Sequence, residues 1–390
     1  VSSRAGISIL LIAHNWQYRD LRPFNVGLHL SRLGYTIHLL LPSRHLTLGY
    51  QAETVNERFT VYECPTILPG VFKKGSDPLD LLTKLYLVRR LTYDLVIGFD
   101  ARPTVILPAV HAKAATHVPL ILDWTDWFGR GGIISERSGG VYRTFLERIE
   151  TFFEEHYRLE ADSSMVICST LAGRLRALGY KREIMDFPLG CGDIPPPGAS
   201  PSELRHQLQL PARGPLLACV GTLLPADARL LFESVKAVQP TTGARLVLIG
   251  DGKVDESLLP EGTIRTGRLE RTVLYQYLRS CNLCLLPLKN NIANNGRWPS
   301  KLNDYLEAGC PVVATPTTVV RDLMAVAQFG AMADDNPGAF ASAIERLLAD
   351  PDQLQEFGAS ARRLAVEKLS WSPLIARLDA FITATLATAA

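Results

Sequence analysis

Short apolar runs bounded by turn residues recur along this 390-residue chain, with helical patterns between them, and that rhythm restricts the fold more than any other feature. Strands covered on both faces read as continuous apolar runs, and strands that alternate with helices pair in parallel. In the first half the predicted strands are Ser8–Ala13, Thr36–Leu41, Leu95–Gly98, Leu120–Asp123 and Met165–Cys168. In the second half they are Leu216–Val220, Arg245–Ile249, Thr263–Thr266, Leu283–Leu286 and Pro311–Ala314. Each set suffices for one sheet, so the chain is expected to be α/β, with two Rossmann-like doubly wound parallel sheets. Such sheets bind ligands beyond the carboxyl ends of their strands, which predicts a cleft between the two.

The expected domains are residues 1–189 and 206–372. Between them lies GCGDIPPPGASPSELR (190–205), rich in Gly and Pro and without periodicity, which reads as a linker. A last helical segment, 373–390, is expected to pack back on the first domain. Lys and Arg number 41 against 39 for Asp and Glu, so no global field points to nucleic acid and any anion has to be met locally. No apolar run reaches the roughly 18 residues of a membrane span. Seven cysteines, odd in number and irregularly spaced, suggest reduced thiols and a cytoplasmic protein. Cys281 and Cys284 form a C-x-x-C without a second pair, so neither zinc nor redox chemistry is expected there.

The stretch GRWPSKLNDYLEAGCPVVAT (296–315) reads as a helix start feeding a buried strand. Ser300 is the expected N-cap, and Gly309 followed by Pro311 ends the helix. Unpaired N–H groups at such a start suit a phosphate. Ser300, Lys301 and Asp304 fall on one side of the helix, offering a cation for a diphosphate and a carboxylate for a ribose diol. The alternative is an ordinary helix with a solvated ion pair.

Other second-half strands end in Val220-Gly221, Ile249-Gly250-Asp251-Gly252, Gly267-Arg268 and Leu286-Pro287, before Ala308-Gly309-Cys310-Pro311-Val312-Val313-Ala314-Thr315. This order resembles the donor-binding domain of glycosyltransferase family 4, within the GT-B architecture. The resemblance covers residues 216–372 well and the first half in outline. It implies transfer of a sugar from a nucleotide-diphosphate-sugar to an acceptor hydroxyl with retention of configuration, without a cofactor or metal. The family's paired glutamates fall on Gly296 and Asp304: Asp304 would bind ribose, and Gly296 lacks the side chain that holds the donor sugar. The family's phosphate cations after the first strand are replaced by Thr222-Leu223-Leu224-Pro225-Ala226. Arg297 and Lys301 are the substitutes expected, with Gly221, Gly267 and Arg268 as backbone contacts to the nucleotide.

In the first half, His14-Asn15-Trp16-Gln17-Tyr18-Arg19-Asp20 follows the first strand where the family often has a glycine-rich loop. His14 is an acceptor-side candidate or a structural histidine. Asp123-Trp124-Thr125-Asp126-Trp127 follows the fourth strand. Asp123 and Asp126 are expected to bind sugar hydroxyls as the catalytic pair, with Trp124 and Trp127 stacking on the acceptor. Metal binding by the two aspartates and core packing of the tryptophans are the alternatives. Lys73, Lys74, Lys84, Arg89 and Arg90 surround an apolar helical pattern, 79–91, which either touches the inner face of a membrane or is buried. The acceptor (glycan, lipid-linked or small molecule) is not readable. A degenerate sugar-nucleotide binder and a sugar-nucleotide epimerase are the competing functions.

Overall fold

The computed structural model describes the chain except residues 1–3, 16–21, 68–74, 137–139, 193–197, 253–254 and 390, and the side chains of 141–143 and 389. Lys73, Lys74, residues 16–20 of the loop after the first strand and residues 193–197 of the expected linker lie outside the described residues. The chain forms two units: residues 1–189, 296–298 and 371–390 in the first, and 190–295 and 299–370 in the second.

The first unit is built on an eight-stranded sheet. Its strands are β1 (Ser8–Ile12), β2 (Thr36–Pro42), β3 (Gln51–Asn56), β4 (Phe59–Cys64), β5 (Leu95–Phe99), β6 (Leu120–Trp124), β7 (Ser163–Val166) and β8 (Glu183–Asp186). Their order is β3-β4-β2-β1-β5-β6-β7-β8, and every pair is parallel except β3 with β4. The sequence rhythm misses β3, β4 and β8 because they carry no apolar run. β3 is largely exposed along QAETVN, and the hairpin turns at Asn56, whose side chain accepts from the Arg58 N–H. Strand order reverses between β1 and β5, so their carboxyl ends open the crevice that a doubly wound sheet offers a ligand.

The helix Trp371–Ala389 belongs to this first unit and packs on the helix Arg22–Arg32. Trp371, Leu374, Ile375, Leu378 and Ile382 are buried with Val26, Leu30 and Phe187. Asp379 fixes its register, accepting two 2.9 Å hydrogen bonds from Arg4 and one of 2.6 Å from the Tyr35 hydroxyl. The segment expected to offer a basic face to a membrane is the helix Pro78–Val88, capped by Asp77. Its Lys84 is fully buried, donating to Asp80 Oδ2 at 2.9 Å and the Ala13 carbonyl at 2.7 Å, so it is a core ion pair and not a surface cation. Burial of its apolar and Asp80–Lys84 side against the following helix decides that orientation; Leu82 and Tyr86 remain exposed.

The second unit has a six-stranded, all-parallel sheet. Its strands are β9 (Leu216–Val220), β10 (Arg245–Ile249), β11 (Ile264–Gly267), β12 (Leu283–Leu286), β13 (Val312–Ala314) and β14 (Gly330–Met332), in the order β11-β10-β9-β12-β13-β14. The reversal falls between β9 and β12. Only the three-residue edge strand β14 lies outside the expected set. The expected linker is structured at its end: Ser200 accepts from the Glu203 N–H and Glu203 accepts from the Ser200 N–H, a capping box that starts the helix Pro201–Gln207. All seven cysteines are free thiols, and Cys284 is buried within β12.

Candidate functional site

In the second unit, the loops after β9, β10 and β11 meet through their glycines. Gly221 takes φ +90°, and its N–H donates to the Ile249 carbonyl at 2.7 Å. Gly250 donates to the Gly267 carbonyl at 2.9 Å. A Cβ on Gly250 would lie 3.2 Å from Gly221 backbone, so the two turns approach closely only because neither has a side chain. Asp251 accepts from the Arg268 N–H at 2.9 Å, while Gly267 turns the strand end with φ +68°.

The helix Ser300–Ala308 points its start at this edge. Pro299 occupies the N-cap position with no side-chain cap, and Ser300 is the first helical residue, which corrects the expectation of a serine cap. A proline lacks the side-chain acceptor needed to close the first turn, so orphan N–H groups there are left for solvent or a ligand. Tyr305 fastens the helix to the sheet: its hydroxyl accepts from the Val220 N–H at 2.9 Å and donates to the Leu285 carbonyl at 3.1 Å. The Lys301 ammonium consequently stands 3.9 Å from where a Gly221 Cβ would be. A cation, a side-chain-free backbone and an uncapped helix start thus converge at the point where strand order reverses.

One turn further, burial pushes the Asp304 carboxyl up to about 6, and the Arg271 charge works against that shift. Arg271 itself donates to Glu307 Oε2 at 2.7 Å. Glu307 is 2% exposed and also accepts from the Gly192 N–H at 2.9 Å. Sequence reasoning missed Arg271 and Glu307; the signal was Glu307 three positions after Asp304, on the same helical face.

The first unit carries its own pocket, of about 230 Å³, at the carboxyl ends of β1, β5, β6 and β7. His14, Asp100, Asp126, Arg22 and Trp298 are among the residues that line it. His14 follows β1, and burial lowers its pKa to about 4, leaving a neutral imidazole at pH 7. Asp126 follows β6. Burial first, then the Asp100 charge, push its carboxyl up to about 7, with Arg297 and Arg102 working against the shift.

Asp123, expected beside Asp126 as a sugar-binding carboxylate, is fully buried instead. Both its oxygens accept from Arg22, at 2.7 and 2.9 Å, which excludes it from the catalytic pair and from a metal pair with Asp126. Strand alternation explains this: Asp123 is still within β6 and points into the unit, whereas Asp126 lies beyond the strand end. Trp124 is likewise 0% exposed, its indole N–H donating to Asp126 O and Glu154 and its ring covered by Arg158 at 4.2 Å. It is a core residue and not an acceptor platform. Trp127 is half-buried, with Arg174 over its ring at 3.8 Å, so that face is already occupied. The tryptophan that does line the pocket is Trp298.

Gly296 and Arg297 belong to the first unit. The Gly296 carbonyl accepts from the Trp127 N–H at 2.8 Å, and Arg297 bridges Asp126 through backbone pairing. The Arg297 guanidinium lies 4.0 Å from Glu136 and its charge acts on Asp126. The charges it meets among the described residues are therefore those of carboxylates.

Residues 214–350 match the family described as Glycosyl transferases group 1. That segment is similar to a glycosyltransferase domain. Sucrose-phosphate synthase from Thermosynechococcus elongatus shares the fold of this chain with a TM-score of 0.76 and 16% identity, covering 98% of this chain and 100% of that one. HepE from Anabaena, solved with UDP and glucose, aligns with a TM-score of 0.66 and 13% identity over 97% of this chain and 100% of that chain. WaaG, a glycosyltransferase involved in lipopolysaccharide biosynthesis, aligns with a TM-score of 0.68 and 14% identity over 96% and 99%. No curated protein sequence matches significantly. The chain has the GT-B fold, and its matched segment contains Gly221, Gly267, Arg271, Lys301 and Asp304.

Proposed function

We propose that the chain transfers a sugar from a nucleotide-diphosphate-sugar to an acceptor hydroxyl with retention of configuration. The observation that carries this reading is the Lys301 ammonium beside Gly221 at the reversal point of the second sheet. Lys301, the backbone at Gly221 and the start of the helix Ser300–Ala308 would hold the diphosphate, and Asp304 would accept from ribose hydroxyls. Gly267 and Arg268 would flank the base. The anomeric carbon's bond to the phosphate oxygen breaks as its bond to the acceptor oxygen forms, and the acceptor proton leaves on the diphosphate. Charge collecting on that leaving group is what a fixed ammonium and oriented N–H groups stabilise. Asp126 would orient hydroxyls on the acceptor side. No cofactor or metal enters this scheme.

Gly296 favours a second reading. Its backbone carbonyl is used by Trp127 and it offers no carboxylate to the donor sugar, so a nucleotide-sugar binder without turnover accounts for the same donor site. Incubation with UDP-, GDP- and ADP-sugars and an acceptor panel separates the readings. Glycosylated product with the donor's anomeric configuration supports transfer; binding without product supports the binder; an epimerised nucleotide sugar in the absence of acceptor sinks both. Among the described residues no helix is long and apolar enough to cross a membrane. We place the enzyme in the cytoplasm, where the thiols stay reduced, and any contact with a membrane's inner face falls to the exposed Leu82 and Tyr86.

A further inference from the structure

Asp100, at the carboxyl end of β5, combines features that structural packing alone does not require. Its φ is +80°, a left-handed conformation in which a non-glycine residue is strained. It is 3% exposed, yet it lines the first unit's pocket. Its Oδ1 accepts from the Ala101 N–H at 2.8 Å and has Arg158 3.6 Å behind it. Its Oδ2 is buried and has no hydrogen-bond partner among the described residues, while Nδ1 of the neutral His14 ring lies 4.0 Å away. An unsatisfied buried carboxylate oxygen costs free energy unless a donor arrives.

The rest of the pocket says which donor. Arg22 is the cation among its lining residues, but four of its five N–H groups are engaged: Asp123 takes Nε and Nη2, and the carbonyls of Phe187 and Pro188 take Nη2 and Nη1. An incoming phosphate or carboxylate would find no bidentate guanidinium edge on Arg22, only one Nη1–H, and would face Asp100 and Asp126. Hydroxyl groups fit, because each donates one proton to a carboxylate and carries no charge. Phe99, Ile167 and Trp298 supply an apolar lining for the C–H faces of a ring. About 230 Å³ is below the ~300 Å³ where drug-sized pockets begin, so the space suits a single ring.

We propose that this pocket takes one uncharged sugar or cyclitol ring of the acceptor, with Asp100 Oδ2 and Asp126 accepting hydrogen bonds from its hydroxyls. The proposal rests on the transferase reading, and it specifies the acceptor as a neutral polyol at the point of entry. His14 completes the set as a neutral hydrogen-bonding group.

The test uses the full chain with a panel of neutral hexoses, pentoses and myo-inositol, each beside a phosphorylated, uronic or hexonic acid counterpart, by calorimetry or ligand-observed NMR. UDP, GDP and ADP are titrated separately. At least one neutral ring is expected to bind tenfold or more tightly than its anionic counterpart. Asp100→Gly keeps the positive φ while removing the carboxylate, and is expected to lower that affinity at least tenfold with nucleotide affinity unchanged. Asp100→Asn, which leaves one oxygen, is expected to fall between. Equal binding of neutral and anionic rings, unchanged affinity in Asp100→Gly, or no ring binding while a nucleotide binds would overturn the proposal. Failure of every nucleotide, with ring binding intact, would sink the transferase reading and leave the polyol pocket standing.

Discussion

Lys301 and Asp304 divide the expected nucleotide contacts, and they can be separated experimentally. Lys301→Ala should weaken nucleoside diphosphate binding by about 1.5–3 kcal/mol, the range of a charge-assisted hydrogen bond; unchanged calorimetric affinity would remove it from the phosphate site. Asp304→Asn should weaken the nucleoside diphosphate more than inorganic pyrophosphate, and equal losses would exclude a ribose contact. At Asp126 the effect is on stability. Its carboxyl titrates at about 7 in the folded chain against about 3.9 unfolded. Between those values the folded chain keeps a proton that the unfolded chain has lost, so stability falls as pH rises through this window. His14, lowered to about 4 from about 6.5, acts with the opposite sign over much of the same range, its stabilising neutral form being lost below. Asp126→Asn should therefore raise the denaturation midpoint at pH 8 and leave it nearly unchanged at pH 4. An equal gain at both values would contradict the shift. Asp126 was legible in the sequence because it follows a strand end, whereas Asp100, in Phe99-Asp100-Ala101-Arg102, also follows a strand end but carries no second acid or tryptophan pair to mark it.

At the scale of elements, the Asp126 loop is held from behind by one buried carboxylate. Glu154 accepts from the Phe128 N–H and the Gly129 N–H, both at 2.8 Å, and from the Trp124 indole at 3.1 Å. Glu154→Ala leaves the Phe128 and Gly129 N–H groups without their acceptor, the Trp124 indole keeping the Asp126 carbonyl, and should cost roughly 2 kcal/mol or more in denaturant unfolding at ~1–3 kcal/mol for each. A loss below 1 kcal/mol would mean that the loop is held elsewhere. Asp123→Ala strips the partner from a buried guanidinium and should cost about 3–5 kcal/mol. The interior strands were readable because each is an apolar run covered on both faces; β3 and β4 were not, because an edge hairpin exposes one side and alternates. The aspartates of the β6 loop show the same limit one level down. A strand's exact end decides whether Asp123 faces the core or the pocket, and apolar composition does not mark that end to a single residue.

Across the whole molecule, the first unit is discontinuous in sequence. Its core includes Trp371, Leu374, Ile375, Leu378 and Ile382, contributed from the far end of the chain. Each such buried side chain is worth ~1.5–3 kcal/mol. Deleting residues 371–390 should therefore unfold the first unit while the 214–350 domain retains nucleotide binding, checked by proteolysis and calorimetry on the truncated chain. Survival of a protease-resistant 1–189 fragment would refute this. The same arrangement bears on how the protein is made. A ribosome releases the first 189 residues long before the helix that covers their sheet, so the nascent first half waits, with Val26, Leu30 and Phe187 uncovered, until residues 371–389 are made. A premature stop just before residue 371 would then yield an aggregation-prone product, although every strand of both sheets had been made.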